Sequence, residues 1–419
     1  MTDPKTFLFL QGPPNGYWPH LAEQLELAGH TVRKINLCLA DWVFWRRPRA
    51  DNYRGSLPAW EAWLEAYIVS NGITDIIYYA DQHPYHVAAR TVADRLGLRC
   101  WAIEFGYLRP DWLTLEQTGM GPLSHFPKDR ASIEILAADQ SEPDMVYRYP
   151  HSFGQEAVGE VVFHLLQAYG RPFYPRFRSD KTYWPAIDYL AWLPEFTRQR
   201  RQIKFAELIE AQCLQGQTPF WLVALQIHAD YQIRSHSPYD HQEDMLADIF
   251  ASFAQHTRAG DLVIKIHPMD NGLENWPKRV ARQAAQFGLQ GRVHLIKGGD
   301  LGRFIKAARG VIIANSTVGL HSIAAGVPTL ALGDALYDID GLTHQNGIDS
   351  FWLKPQKPDV EFAKTYRRAL QVIQVKGSFY HRAGRDLAVA QMVQRLTKTD
   401  AALKTAFQPD AESIILAAE

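Results

Sequence analysis

The sequence predicts an α/β protein built from two doubly wound domains. Three observations lead there: a length beyond one comfortable core, short apolar runs alternating with amphipathic segments, and a restart of that alternation after a turn-rich break. At 419 residues the chain fits two domains of roughly 150–200 residues each. The formal charge of −1 supplies no general field for nucleic acid, so an anion site has to be built locally. Cys38, Cys100 and Cys213 are far apart and lack C-x-x-C spacing, which argues against a disulfide framework or a zinc knuckle. A reducing compartment is expected.

Along the first half, "TFLFLQG", "TVRKINL", "TDIIYYA" and "RCWAIEFG" read as strands. Between them, "YWPHLAEQLELAGH", "LPAWEAWLEAYIVSNG" and "YHVAARTVADRLG" read as helices. Strand, helix, strand in that order predicts a parallel sheet covered on both faces. From about Asp129 to Gln212 the pattern is helical and aromatic, which predicts helices completing a first domain over 1–212.

"LQGQTP" then carries turn chemistry, and a second series follows over 213–358. Its strands are "FWLVALQI", "DLVIKIHP", "RVHLIKG", "GVIIANS" and "PTLALG", with amphipathic helices between them. The remainder, 359–419, reads as charged helices closing with "AESIILAAE". The N-terminal segment lacks a basic region ahead of its strand-length "FLFL", so no signal peptide is expected. No run approaches the roughly 20 apolar residues of a spanning helix, and a cytosolic protein is expected.

Ligands of open parallel sheets bind beyond the carboxyl ends of the strands. In the second domain those ends carry Gln226, Lys265 with His267 and Pro268, and Asn315-Ser316-Thr317 followed by Gly319. A helix opening at Ser316 or Thr317 offers unpaired N–H groups and hydroxyls to a phosphate, and Gly319 leaves room for close approach. The plainer reading is a helix cap. His267 reads either as a phosphate ligand or as a satisfied structural histidine. "ALQIHADYQIRSHSPYD" adds His228, Asp230, Arg234 and His236 after an apolar strand. A carboxylate such as Asp230 suits a nucleophile or base, or else caps a helix or pairs with Arg234.

In the first domain, Gly12, Asn15 and Gly16 occupy the first strand-to-helix turn without a G-x-G-x-x-G pattern, so dinucleotide binding is unsupported. Asp81, His83 and His86, then Glu104, Arg109, Asp111 and Glu116, match no familiar metal spacing. A polar acceptor pocket is expected there, with no metal. "DWVFWRRPRADNYRG" sets Trp42, Phe44 and Trp45 beside Arg46, Arg47 and Arg49. That mixture suits an anionic membrane surface, or a buried aromatic end with a solvated basic loop.

Taken together, "LQGPPNGYW", "YADQHPYHVAAR", "EFGYLRPDWLTLE", "LQIHADYQIRSHSP", "KIHPMDNG" and "NSTVGLHSIAAGVPTLALGDALYDIDGLT" resemble the KpsS/LipB group of capsule polysaccharide proteins over about residues 7–352. The resemblance implies a GT-B-like fold, two facing Rossmann-like domains with an interdomain cleft. It implies a retaining glycosyltransferase that moves Kdo, an eight-carbon acidic sugar, from CMP-Kdo to a phosphatidylglycerol-type lipid, starting the β-Kdo linker of a capsule. No cofactor is implied. The partners implied are the inner face of the cytoplasmic membrane, where the protein would be peripheral, and capsule assembly proteins, with no nucleic acid.

Carried onto this chain, His267-Pro268 with Asn315, Ser316, Thr317 and Gly319 would hold the CMP phosphate, with Gln226 alongside. Asp230 would be the nucleophile and Glu104 the base for the acceptor, with Gly12, Asn15, Asp81 and Arg109 on the acceptor side. "QIHAD" carries His228 where the family pattern leads one to expect a smaller or acidic residue. A sugar-nucleotide epimerase or hydrolase of similar fold, and a non-catalytic assembly or export partner, are the alternatives.

Overall fold

The computed structural model describes residues 4–150, 153–216, 218–227 and 231–398. Contacts divide the chain into two units, one running to Pro185 and resuming at Arg367, the other spanning Ala186–Tyr366.

In the first unit the strands are β1 (Thr6–Phe9), β2 (Thr31–Asn36), β3 (Ala50–Asn52), β4 (Asp75–Tyr79), β5 (Arg99–Phe105) and β6 (Trp112–Gln117). The second unit supplies β7 (Phe220–Ala224), β8 (Asp261–Lys265), β9 (Val293–Ile296), β10 (Gly310–Ile313) and β11 (Thr329–Ala331), and β12 (Gln374–Lys376) returns to the first. The two sheets run β12-β6-β5-β4-β1-β2-β3 and β11-β10-β7-β8-β9. Numbered within its own unit, each therefore contains the parallel order 3-2-1-4-5, whose direction of growth reverses beside the first strand. Both units are α/β, as expected, each with a five-stranded parallel core.

The elements form for local reasons. β7 and β10 are buried at every position, which is why "FWLVA" and "GVII" read as continuous apolar runs rather than alternating ones. Helices Trp60–Asn71 and Pro84–Leu96 stop at Gly72 and Gly97, whose φ values of 58° and 68° suit a residue without a Cβ.

Three expectations are corrected. First, the sheet of the first unit is not wholly parallel, since β6 runs antiparallel to β5 and β12 antiparallel to β6. The short connection from Phe105 to Trp112 leaves no room for a crossover helix, so the chain can only double back. Second, helix Trp192–Leu214 belongs to the second unit instead of completing the first. Its Glu195 and Glu210 pair with Lys297 and Arg303 at 2.7 and 2.8 Å. Third, the segment from 359 is no separate helical tail. It contains β12, and helix Arg382–Leu396 enters the first unit's core, where Val375, Phe379, Val389 and Met392 are buried with Tyr17 and Leu21. "AESIILAAE" lies outside the described residues.

Tyr17 marks the join between the two ends of the first unit. Its hydroxyl donates to Met392 Sδ at 3.2 Å, and its ring meets Phe379 edge-on at 4.9 Å. Lys5 Nζ donates to the carbonyl of Leu396 at 2.7 Å. Met392→Ala is expected to cost about 2–5 kcal/mol of the stability of the first unit. Chemical denaturation followed by near-UV circular dichroism would read this as an earlier first transition.

Candidate functional site

The second unit's strand order reverses between β7 and β10, so the loops leaving these two strands part in opposite directions. Gln226 and Asn315 stand just beyond the two strand ends and are bound to one another. Gln226 Nε2 donates to Asn315 Oδ1 at 3.1 Å, and the Asn315 N–H donates to Gln226 Oε1 at 3.4 Å. Gln242 fixes the Gln226 backbone through a reciprocal pair of bonds, 2.7 Å onto its side-chain oxygen and 2.8 Å from its amide nitrogen. Asn315 Nδ2 donates to the carbonyl of His236 at 3.0 Å, tying in the loop that follows Gln226. With three such ties, both residues hold the rim's shape.

His267 follows β8. Its Nδ1 accepts the Met269 N–H at 3.1 Å, so in the neutral ring the proton sits on Nε2, a hydrogen-bond donor. Pro268 is exposed beside it. Asp270 closes the turn, accepting from the Gly272 N–H at 2.9 Å and from Trp276 Nε1 at 3.2 Å.

Lys265, expected to face a nucleotide, is instead buried. Its Nζ donates to the carbonyls of Gly298 and Gly299, and burial pulls its pKa below the usual lysine range. It holds the loop after β9, because an ammonium taken out of water needs carbonyl partners at that depth.

Ser316 and Thr317 are half-buried where helix Val318–Ala324 begins. Ser316 Oγ accepts the Val318 N–H at 3.3 Å in a local turn, whereas the N-cap position is held by Thr317, which makes no side-chain cap hydrogen bond. Gly319 is corrected. A Cβ there would lie 2.5 Å from ring carbons of Tyr337, whose hydroxyl donates to the Ser316 carbonyl. Glycine makes room for an aromatic ring at this position, not for a ligand. His228 and Asp230 lie outside the described residues.

The corresponding switch in the first unit falls between β1 and β4, where Gly12, Asn15 and Asp81 stand. Gly12 repeats the Gly319 pattern, since a Cβ there would touch the Trp18 indole at 2.5 Å, and Trp18 Nε1 donates to the Leu10 carbonyl at 3.0 Å. Asn15 Oδ1 accepts the Tyr17 N–H at 2.9 Å and orders the helix entry. Asp81 is buried and accepts the Met120 N–H at 2.8 Å.

His83 and His86 are also buried, and burial lowers both pKa values and keeps the rings neutral. His86 Nδ1–H donates to the Ala80 carbonyl at 2.8 Å. Among the described residues no group of three or more His, Cys, Asp or Glu side chains is arranged to hold a metal ion.

Glu104, half-buried on β5, lies among titratable neighbours. Burial raises the pKa of Tyr79 well above the usual tyrosine value, and the charges of Glu104, Glu160 and Glu156 add to that. Glu116 is buried and bonded by the Ser124 hydroxyl, and burial pushes its pKa up to about 8. Arg109 is exposed beside a cavity of about 260 Å³ that Phe105, Trp112, Tyr147 and Glu156 also line.

Glu156, Glu160 and His164 escaped the sequence reading. Their spacing of four along helix Phe153–Tyr169 was the available signal. Burial drives the His164 pKa down to about 3.

Residues 74–380 match the family model described as "Capsule polysaccharide biosynthesis protein". The chain belongs to that family. Among its relatives are the capsule polysaccharide modification protein LipB of Neisseria meningitidis serogroup A, 30% identical over 90% of this chain and 92% of that protein, and the capsule polysaccharide export protein KpsS of Escherichia coli, 28% identical over 90% and 97%. Among solved structures, the KpsC β-Kdo 2,7 transferase of Thermosulfurimonas dismutans aligns over 93% of this chain and 99% of its own at 14% identity, with a TM-score of 0.45.

In this family member, Gly319→Ala is expected to cost about 1–3 kcal/mol through the Tyr337 clash, and Tyr337→Ala in the same chain should recover part of it, as read by thermal denaturation. Glu116, whose folded pKa lies above its ordinary value of 4.5 at about 8, contributes stability below the ordinary value that is lost as pH rises towards the raised one. Thermal midpoints measured across that window should therefore fall more steeply for the native chain than for Glu116→Gln.

Proposed function

We propose that this protein is a retaining glycosyltransferase that moves Kdo from CMP-Kdo to a phosphatidylglycerol-type lipid and so begins the β-Kdo linker of a capsular polysaccharide. Family membership supports a role in capsule polysaccharide biosynthesis. The finer reading takes its donor and acceptor from the resemblance to the KpsS/LipB group. One observation carries it: at the second unit's strand-order reversal, Gln226 and Asn315 are locked together, while beyond neighbouring β8 the His267 Nδ1 accepts the Met269 N–H, which points Nε2 to the donor role. That is a built rim with a ring N–H donor suited to a phosphate oxygen.

In this proposal the CMP phosphate sits against His267-Pro268 and the Ser316-Thr317 hydroxyls. The Asp230 carboxylate attacks the anomeric carbon, and the bond to the phosphate oxygen breaks with its electron pair leaving on CMP. The lipid hydroxyl, giving its proton to Glu104, then attacks the same carbon and expels Asp230, so two inversions give retention. Arg109, exposed beside the aromatic cavity of the first unit, is the proposed contact for the acceptor's anionic group. The His267 Nε2–H stabilises charge that grows on the leaving phosphate.

Purified protein supplied with a CMP-Kdo generating system and fluorescent lysophosphatidylglycerol should yield a product heavier by one Kdo, detected by mass spectrometry. His267→Ala should lower kcat/KM by about 100- to 1000-fold, and Asp230→Asn should abolish transfer while CMP binding persists. Hydrolysis of the donor with no lipid product would mark a hydrolase instead, and normal turnover by the Asp230 variant would remove that residue from the mechanism.

A further inference from the structure

Helix Trp192–Leu214 is amphipathic in the opposite sense to a helix packed by its apolar face. Its inward face is polar and clamped. Glu195, only 6% exposed, accepts from Lys297 Nζ at 2.7 Å and from Gln202 Nε2 at 3.1 Å, and Glu210 accepts the Asp300 N–H at 3.0 Å. With small Ala206 and Ile209 these residues complete the buried side.

The outward face holds Leu193, Phe196, Ile203, Phe205 and Leu208, of which Leu193 and Phe196 are 60% and 61% exposed. Leu190, at the end of the preceding short helix Pro185–Leu190, is exposed as well. Arg200, Arg201 and Lys204 interleave with these side chains, against a single acidic residue, Glu207, over 200–207, while Arg198 pairs with Glu195 at 3.4 Å.

We infer that this helix is a docking surface for an anionic phospholipid bilayer, on which it lies without crossing. The charge pattern selects that occupant. Cations that sit between exposed large apolar side chains, with few carboxylates among them, are the composition of a helix lying in the interface of a negatively charged bilayer. Arginine and lysine stems can lie along an acyl boundary while their heads reach lipid phosphates, and large apolar side chains enter the gaps between headgroups. Each cation near a negatively charged surface adds to attraction that salt screens. No helix among the described residues is long and apolar enough to span a bilayer.

The aromatic-basic segment near residue 45 does not compete for this role. It forms helix Leu39–Trp45, in which Trp45 is buried while Arg47 and Arg49 pair with Glu26 at 2.5 and 3.7 Å, leaving Trp42 as its one well-exposed aromatic. The docking helix would bring the protein to the surface that holds the proposed lipid acceptor, but its assignment stands on the helix alone.

The test is flotation of the full chain with vesicles of phosphatidylcholine, or of equal parts phosphatidylcholine and phosphatidylglycerol. Binding is expected on the mixed vesicles only, weakening with salt. Replacing Arg200, Arg201 and Lys204 together by glutamine should lower partitioning about a hundredfold, and Leu193→Ser with Phe196→Ser should lower it comparably. Both sets of positions are exposed, so folding is checked by an unchanged thermal midpoint.

As a second readout, the indole introduced by Phe196→Trp should shift its emission to the blue on mixed vesicles and be quenched by brominated lipid. Flotation that ignores both sets of substitutions, or emission from the Phe196→Trp variant that ignores vesicles, overturns the inference. So does an apolar variant that dissociates a homodimer without changing lipid binding. Vesicle binding that persists in a protein unable to transfer Kdo would refute the proposed function and leave this surface standing.

Discussion

The seam between helix Tyr17–Leu27 and helix Arg382–Leu396 is the constraint on which the first unit depends. A parallel sheet needs cover on both faces, and part of that cover arrives only after the chain has built the whole second unit. Phe379, Val389 and Met392 fill space against Tyr17 and Leu21, while β12 extends the sheet by pairing with β6. Apolar area withdrawn from water drives this closure. The Lys5 and Tyr17 hydrogen bonds then fix which residues meet.

Order at the candidate site has a different origin. Beside a strand-order reversal the loops diverge and leave backbone and side-chain polar groups at the rim, and these need partners wherever water is excluded. Gln226, Asn315 and Gln242 answer that need among themselves, with the His236 carbonyl as a further acceptor. The arrangement keeps the rim rigid. Tyr337 acts similarly from below, its ring filling the space that Gly319 leaves and its hydroxyl holding the Ser316 carbonyl.

Much of this was legible beforehand. The apolar runs that became β1, β2, β4, β5 and the five strands of the second unit announce themselves by composition and length, and the position of Gln226, His267 and Asn315 follows from where those runs end. β6 and β12 did not announce themselves. "WLTLEQ" lies among polar residues that draw attention as chemistry, and "QVK" is too short to carry a pattern at all. A lysine at a strand end such as Lys265 reads as a ligand in sequence, whereas the fold surrounds it with the Gly298 and Gly299 carbonyls.

What the sequence by itself determined is local: strand and helix periods, the glycines that end helices, the rim positions beyond strand ends, and the blocks shared with a capsule family. These depend on neighbours a few residues away, and such neighbours are written in order along the chain. Only the tertiary structure decided that Gly12 and Gly319 serve aromatic rings, that helix Trp192–Leu214 turns its carboxylates inward and its apolar residues outward, and that residues 374–396 complete the first unit. Each of those outcomes is set by packing and hydrogen bonding in three dimensions, much of it with partners far along the chain, which no local pattern specifies.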